Sequence, residues 1–279
     1  MPLSLSAPPL LDSLVTPNGP WRSLRVLGVV GSTNAEAALQ PRPWEIVTAQ
    51  GQESGRGRHA RVWVSPAGTS VSMSMTVPCP PRPQDWGWLP LLAGLAVHDG
   101  LSAVVEQAGG DTEVGLKWPN DVLIRGGSQP EWGKVCGILC EMQPEALVVV
   151  GIGINVAVPR ADLPVPTATS LHLAGLDPLQ IGQGMGAREG VIVAVARAFA
   201  QLHQAWSQGG PALEAVRRRY RLACLTIGAE VDLHTPGEVI VTGTVTDIDE
   251  DGRLLIAGAE GIQAYAAGDV VHVRVAERA

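Results

Sequence analysis

Hydrophobic and polar positions alternate most strictly from Thr69 to Val77 (TSVSMSMTV), the pattern of a strand with one apolar and one polar face, and this predicts a half-buried strand. Trp21 to Val30 carries a second apolar pattern that suits a strand, and Glu45 to Gln50 a short third one. Between them, Gly31-Ser32-Thr33-Asn34 precedes the Ala-rich run Ala35 to Leu39, with Glu36 shortly after, which is a helix N-cap signature. Gly51 to Arg61 is rich in Gly and Arg and has no periodicity, so it reads as a loop. Trp86 to Gln107 has helical spacing, as do the long amphipathic stretch Val191 to Ser207 and the shorter Ala212 to Leu222. Val114 to Trp118 and Val122 to Ile124 are short strand pieces around Pro119-Asn120. Lys134 to Met142 and Ala146 to Val156 read as a pair of buried strands joined by Gln143-Pro144-Glu145.

After about residue 224 the helical runs stop. Val231–His234, Val239–Ile248, Arg253–Ala257, Gln263–Ala266 and Val270–Val275 are short strands separated by turn signals such as Thr235-Pro236-Gly237 and Asp249-Glu250-Asp251-Gly252. Five short strands in such a span predict a small C-terminal β-barrel of the SH3-like kind. The expected organisation is a Pro/Ser/Leu-rich segment over 1–20, ordered only in part, a large domain over 21–225 and the small β domain over 226–279.

Hydrophobic residues make up 46% of the 279-residue chain, enough for a sizeable core. The net charge is −7, which disfavours non-specific nucleic-acid binding, since that rests on counterion release by basic groups. The longest apolar run, Ala146 to Val158, is too short to span a bilayer, and the N-terminus lacks a basic secretory n-region, so a cytoplasmic protein without membrane association is expected. Cys79, Cys136, Cys140 and Cys224 form no CxxC pair and have no nearby His, so they read as small buried hydrophobes; Cys136 and Cys140 point to one face of their strand. One count stands out. Lys and Arg total 20, yet only Lys117 and Lys134 are lysines. A preference for Arg codons explains the missing lysines; it does not explain the two that remain.

Four motifs could carry chemistry. Gly55-Arg56-Gly57-Arg58-His59-Ala60-Arg61-Val62-Trp63 places arginine forks in a Gly-permitted backbone, suited to holding an anion, although a solvated basic loop has the same composition. Lys117-Trp118-Pro119-Asn120-Asp121 sets Lys, Asn and Asp around a Pro, suited to phosphate or a phosphate-bound metal, or to an ordinary turn. Gly133-Lys134-Val135-Cys136-Gly137-Ile138-Leu139 inserts a Lys into an apolar strand, either to meet an anion or to guard a sheet edge. Gly151-Ile152-Gly153-Ile154-Asn155-Val156 resembles a dinucleotide fingerprint but lacks its third Gly and the following helix; its Asn155 is a polar group that needs a partner. The basic run Arg217-Arg218-Arg219-Tyr220-Arg221 reads as a solvated helix face.

Taken together and in this order, GSTN at 31–34, Gln52 with GRGRHAR at 55–61 and Trp63, KWPND at 117–121, GKVCGIL at 133–139, GIGINV at 151–156 and Ala-Thr-Ser-Leu at 168–171 closely resemble the biotin protein ligase family. The resemblance covers about residues 22–275. It implies an α+β fold: a mixed sheet flanked by helices, like the catalytic domain of class II aminoacyl-tRNA synthetases, followed by the SH3-like domain. It also implies a two-step reaction. Biotin and Mg-ATP give biotinyl-5′-AMP and pyrophosphate, and a lysine of a biotin carboxyl carrier protein then takes the biotinyl group.

By resemblance, Lys134, Arg58 and Arg56 are catalytic, with Lys134 bridging the biotin carboxylate and the α-phosphate. Biotin is expected at Ser32, Thr33, Asn34, Gln52, Gly55, Arg56, Arg58, Lys134, Gly137 and Ile138. ATP is expected at Arg58, Arg61, Trp63, Asn120, Asp121, Lys134 and Asn155, with Mg²⁺ at Asp121. The arginine loop is expected to be mobile without ligand and to fold over the adenylate.

Ala60 stands where many members have Gly, so a stiffer loop is expected, and Cys136 stands where Ala is common, with little effect expected. Arg125 to Trp132 lengthens the hairpin between the two lysine motifs, with no role assigned. Only about 20 residues precede the first strand, too few for the winged helix-turn-helix that some members carry, so no DNA-binding role is expected. Two other readings share parts of this pattern: a lipoate ligase with the same adenylation chemistry, and a nucleotide- or biotin-sensing protein without turnover. The polar Ser32-Thr33-Asn34 and Gln52 set favours a ureido ring over a plain acyl chain.

Overall fold

Strands β1 (Ser23–Val30), β2 (Glu45–Arg56), β3 (Val62–Ser65), β4 (Ser70–Pro78), β5 (Glu113–Lys117), β6 (Asp121–Gly126), β7 (Gln129–Gln143) and β8 (Leu147–Asn155) form one mixed sheet in the computed structural model. The structure describes residues 4–58, 61–79, 82–127, 129–182, 184–237 and 239–274. The strand order is β1-β2-β4-β8-β7-β6-β5, with β3 added onto β2. β1 and β2 run parallel; the other pairs are antiparallel.

Helices α3 (Leu89–Ala108) and α4 (Ala187–Gln208) cover one face, where Ile46, Met73, Met75, Val150, Ile152 and Ile154 join the main core. The short helix α2 (Thr33–Ala38) lies on the other face, where Ala37 packs on Val47 and Val149. By length and composition, α3 with its leading turn could cross a bilayer, but 72% of its most apolar window is buried inside this fold.

The alternation in β4 is real, but its meaning differs from the expected one. Val71, Met73, Met75 and Val77 enter the main core, while Ser70, Ser72, Ser74 and Thr76 are also at most 2% exposed. The polar face meets α2 and a cleft rather than open solvent, so period-2 patterning here separates an apolar interior from a polar one.

The stretch expected as a loop from Gly51 to Arg61 is strand as far as Arg56. Gly51 and Gln52 pair with Val29 and Val30 of β1, and Gly55 and Arg56 pair with Trp63 and Val62 of β3. Ladder hydrogen bonds need no side-chain periodicity, so pattern alone misses this extension and β3 itself. His59 and Ala60 lie outside the described residues, and with them the expectation of a stiffer loop at Ala60.

The N-terminal segment is more ordered than expected. Residues Ala7–Leu14 form helix α1, and Leu5, Leu10 and Leu14 enter the main core. Gln50 Nε2 donates to the Leu5 carbonyl (2.8 Å), the Ser6 N–H donates to Glu189 Oε1 (2.7 Å), and Arg197 Nη2 donates to the Ser13 carbonyl (3.1 Å). Leu10 is fully buried, so Leu10→Ala is expected to cost about 2–5 kcal/mol in a urea titration. A loss below about 0.5 kcal/mol, the surface range, would show that α1 contributes no core packing.

Helix α5 (Gly210–Ala223) carries the basic run expected as a solvated face, and the structure corrects that expectation in part. The Arg217 side chain is only 7% exposed, paired with Glu214 and Asp85 and donating to the Glu250 carbonyl. Arg221 bonds the Ile248 carbonyl and pairs with Asp247, and Arg219 pairs with Asp99. Arg217 and Arg221 thus tie α5 to the C-terminal sheet, while Arg218 and Arg219 are exposed as expected.

That second sheet comprises β9 (Glu230–His234), β10 (Ile240–Ile248), β11 (Leu254–Gly258), β12 (Gly261–Tyr265) and β13 (Asp269–Arg274), all antiparallel, in the order β12-β11-β10-β9-β13. Two indoles bind its β10–β11 turn: Trp88 Nε1 donates to the Glu250 carbonyl (2.8 Å) and Trp118 Nε1 to the Gly252 carbonyl (3.0 Å). Val231, Leu233, Val245, Ile248, Leu254 and Ile256 belong to the same continuous core as the main sheet. The hairpin with no assigned role turns at Gly126 and Gly127 and packs on the loop after β8; a Cβ on Gly127 would lie 2.9 Å from the Gly175 Cα.

Candidate active site

The polar face of the main sheet, α2, the arginine segment after β2 and the edge of β13 enclose one cleft of about 1670 Å³. A pocket for one small ligand measures roughly 300–1,000 Å³, so there is room for two substrates side by side. Every expected site residue lines this cleft except Gly55. Gly55 stands just behind it: a Cβ there would meet Gln52 Nε2 at 1.9 Å and the Trp63 carbonyl at 2.4 Å.

One end of the cleft is neutral and polar. Ser32 caps α2, its Oγ accepting from the Ala35 N–H (3.4 Å). The Thr33 N–H (2.9 Å) and Thr33 Oγ1 (3.2 Å) both donate to Gln52 Oε1. Asn34 Nδ2 donates to Glu141 Oε2 (2.7 Å) and to the Leu139 carbonyl (3.3 Å). Arg56 pairs with the same Glu141 across 3.3 Å. Asn34 can lie flat on the sheet only because position 151 is glycine; a Cβ there would sit 2.1 Å from Asn34 Oδ1.

The other end is charged. Lys134 Nζ lies 2.5 Å from Asp121 Oδ1 and 5.6 Å from the centre of the Trp63 ring. β7 is an interior strand, between β8 and β6, so Lys134 does not guard a sheet edge. Its backbone is locked by the Ala-Thr-Ser-Leu segment: the Lys134 N–H donates to the Thr167 carbonyl (2.8 Å) and the Thr169 N–H to the Lys134 carbonyl (2.9 Å). The KWPND motif forms the turn between β5 and β6, with Lys117 opposite Asp121. Burial pulls the Lys117 ammonium below the usual lysine range, with Asp121 opposing.

Asn120 brackets the site: Nδ2 donates to the Ile138 carbonyl (2.8 Å), its carbonyl accepts the Ile138 N–H (3.0 Å), and Arg58 Nη1 donates to its Oδ1 (3.4 Å). The backbone of Ile138 is therefore already engaged. Asn155 donates to the Thr169 carbonyl (2.9 Å), the strand-end role its position allowed, while also lining the cleft.

The glycines of GIGINV have a steric purpose. Gly137 of β7 and Gly153 of β8 are register partners, and the Trp63 indole lies against both. A Cβ on Gly153 would meet Trp63 Nε1 at 2.4 Å; one on Gly137 would meet Cζ3 at 3.0 Å.

Several cleft residues are not among those the sequence patterns single out. Asp269 at the start of β13 pairs with Arg61 and lies 3.9 Å from Arg58, and Arg58 Nη1 donates to the Gly268 carbonyl (3.1 Å). Burial lowers the Arg58 guanidinium from its ordinary value, with Asp269 and Asp121 opposing. His272 is pulled down to about 4, first by burial and then by Lys117, and so stays neutral at pH 7. Nothing in a linear pattern signals that β13 folds against the arginine segment. The alternation of β4 does mark Ser72, but as part of a solvent face.

Cys136 and Cys224 are buried in the core as expected, while Cys79 and Cys140 are only partly buried against it; burial pushes the Cys136 thiol well up and the Cys140 thiol up to about 12, so both stay protonated. Among the described residues no group of three His, Cys, Asp or Glu could hold a metal.

Comparison with known proteins decides the family. Residues 32–156 match the Biotin/lipoate A/B protein ligase family and residues 226–273 the Biotin protein ligase C terminal domain. The chain is 36% identical over 271 residues to the biotin–[acetyl-CoA-carboxylase] ligase of Mycobacterium tuberculosis, covering 95% of this chain and 94% of that protein. This chain belongs to the biotin protein ligase family.

The ligase of Paracoccus denitrificans is 32% identical and covers 88% of this chain and 98% of its own. Among solved structures, the biotin protein ligase from Aquifex aeolicus in complex with biotin and ATP superposes with a TM-score of 0.70 at 26% identity, covering 90% of this chain and 98% of that one. The mixed α+β architecture and the C-terminal antiparallel sheet are thus those of biotin protein ligases. The first family match spans Ser32-Thr33-Asn34 and the GRGR, KWPND, GKVCGIL and GIGINV segments, which supply much of the cleft wall.

Proposed function

We propose that this biotin protein ligase activates biotin with ATP and passes the biotinyl group to a lysine of a biotin carboxyl carrier protein. The observation that carries the reading is one cleft with a neutral hydrogen-bonding end at Thr33, Asn34 and Gln52 and a cationic end at Lys134, Lys117, Arg58 and Arg61. The neutral end suits the ureido ring, which needs both donors and acceptors. The cationic end suits the meeting of two anions, the carboxylate and the triphosphate.

In the first step a biotin carboxylate oxygen attacks the α-phosphorus, the bond to the β-phosphate oxygen breaks, and pyrophosphate leaves. Lys134 stands where it can bind both reacting anions and hold them in line. Arg56, Arg58 and Arg61 add charge from the segment beside β3, and Trp63 offers a flat wall for adenine, with Asn155 toward the nucleotide. In the second step the carrier ε-amine attacks the carbonyl carbon, the bond to the phosphate oxygen breaks, and AMP leaves as the amine loses a proton.

Magnesium enters as part of the substrate. The donor set among the described residues fits that role: no three His, Cys, Asp or Glu gather there, and Mg²⁺ held on nucleotide phosphates needs only one or two carboxylates such as Asp121. When bound, the ion neutralises phosphate charge; Asp121 and Asn120 are the residues that would face it.

The same reading extends to organisation: a catalytic unit over 21–225 of the class II synthetase-like kind and an SH3-like unit over 226–279, supported by the second sheet's five antiparallel strands. Its setting is the cytoplasm, where carrier proteins are made, with no role for DNA or membrane.

The test is biotin-dependent exchange of pyrophosphate into ATP, followed by mass-spectrometric detection of biotin on a purified carrier domain. Exchange with lipoate and not biotin would overturn the reading, and so would exchange without transfer. Arg58→Ala is expected to shorten the half-life of trapped adenylate; a half-life equal to wild type would remove Arg58 from the role of covering it.

A further inference from the structure

The even-numbered residues of β4 form a polar row on the cleft side of the sheet. Ser70 Oγ donates to the Pro66 carbonyl (3.3 Å). Ser74 Oγ lies 2.8 Å from Thr33 Oγ1 and 2.7 Å from Asn34 Oδ1. Between them, Ser72 Oγ has no hydrogen-bond partner among the described residues, although the residue is only 2% exposed. A buried hydroxyl without a partner costs free energy unless something supplies one.

Ser72 is on the cleft floor. Its register partner is Gly153, which carries Trp63, and the neighbouring pair is Ser74 and Gly151, which carries Asn34. Ser72 therefore sits at the seam between the neutral end and the aromatic wall.

Part of the neutral end's hydrogen-bonding capacity is already spent within the protein, above all its acceptors. Gln52 Oε1 already accepts twice from Thr33. Both Asn34 amide protons already go to Leu139 and Glu141. Ser72 keeps one donor and two acceptor sites unspent. A cyclic urea brings two N–H donors that must find acceptors when water is removed.

We propose that Ser72 Oγ accepts a hydrogen bond from a ureido N–H of biotin and is a specificity-determining residue; this rests on the biotin ligase reading above. Thr76 Oγ1 is also buried without a partner but does not line the cleft, which makes it the control.

The experiment is biotin-dependent pyrophosphate exchange with the full chain, comparing wild type, Ser72→Ala and Thr76→Ala, with thermal melting of each. Ser72→Ala is expected to raise the KM for biotin about tenfold with kcat unchanged. Thr76→Ala is expected to leave both constants unchanged. The same penalty is expected with desthiobiotin, which keeps the urea and lacks the ring sulfur. An unchanged biotin KM in Ser72→Ala, or a fall in kcat alone, overturns the proposal. A penalty that vanishes with desthiobiotin overturns it too, because the contact would then be to sulfur. If Ser72→Ala fails to fold, Ser72→Cys replaces it; a near-isosteric weak acceptor is expected to raise the KM by less. Wild type that shows no biotin-dependent exchange would instead overturn the proposed function itself.

Discussion

Lys134→Ala is expected to lower biotin-dependent pyrophosphate exchange by at least about 10²- to 10³-fold, the usual cost of removing one group that stabilises developing charge. The side chain is 30% exposed and, among the described residues, pairs with Asp121 alone, so no apolar core contact is lost and the melting temperature should stay close to that of wild type. The strand survives because Lys134 is held there by its backbone, through Thr167 and Thr169. Lys134→Arg is expected to recover little, because a planar fork cannot occupy the place of a compact ammonium between Asp121 and the Trp63 ring. Exchange at the wild-type rate in a folded Lys134→Ala protein would remove this residue from the chemistry.

The second large effect is expected from a single added methyl group. In Gly153→Ala the new Cβ would stand 2.4 Å from Trp63 Nε1 and 2.6 Å from Cε2, closer than any real contact, so the indole must leave its seat. Stacking of a base on an aromatic ring contributes about 1–3 kcal/mol, so the KM for ATP should rise roughly 5- to 150-fold. The neutral end does not depend on this glycine, and biotin binding measured without ATP should change far less. An unaltered ATP KM in the folded variant would show that Trp63 does not serve the nucleotide. The outcome also separates two meanings of GIGINV: glycines that approach a ligand directly, and glycines that seat a side chain which does.

The same residues show how far the amino-acid sequence reveals the site. Lys134 stands out because a lysine in an apolar strand is anomalous, and its interior position in the sheet removes the edge-strand alternative. Ser32 has the sequence context of a cap, and it caps α2. The helices and most strands follow from periodicity, which reports burial on one side of an element. β2 beyond Gln50 does not follow, since Gly-rich ladder pairing leaves no such trace. Periodicity also does not say what covers a polar face, so the serines of β4 look solvent-facing when all are buried, Ser74 under α2 and Ser72 on the floor of a cleft. Asp269 is illegible for a different reason: its partners Arg58 and Arg61 are some 208 residues away in sequence, and only docking of the two sheets brings them together.

That long separation constrains when the enzyme can become active during its own synthesis. Arg61 is synthesised 208 residues, and Arg58 210 residues, ahead of the Asp269 carboxylate and the Gly268 carbonyl that respectively hold them. A nascent chain stalled before β13 can already have made all of the main sheet, yet its arginine segment would lack these anchors. Completion of the cleft thus waits for β13, and a chain stopped short of it would be expected to hold an activated acyl group less well.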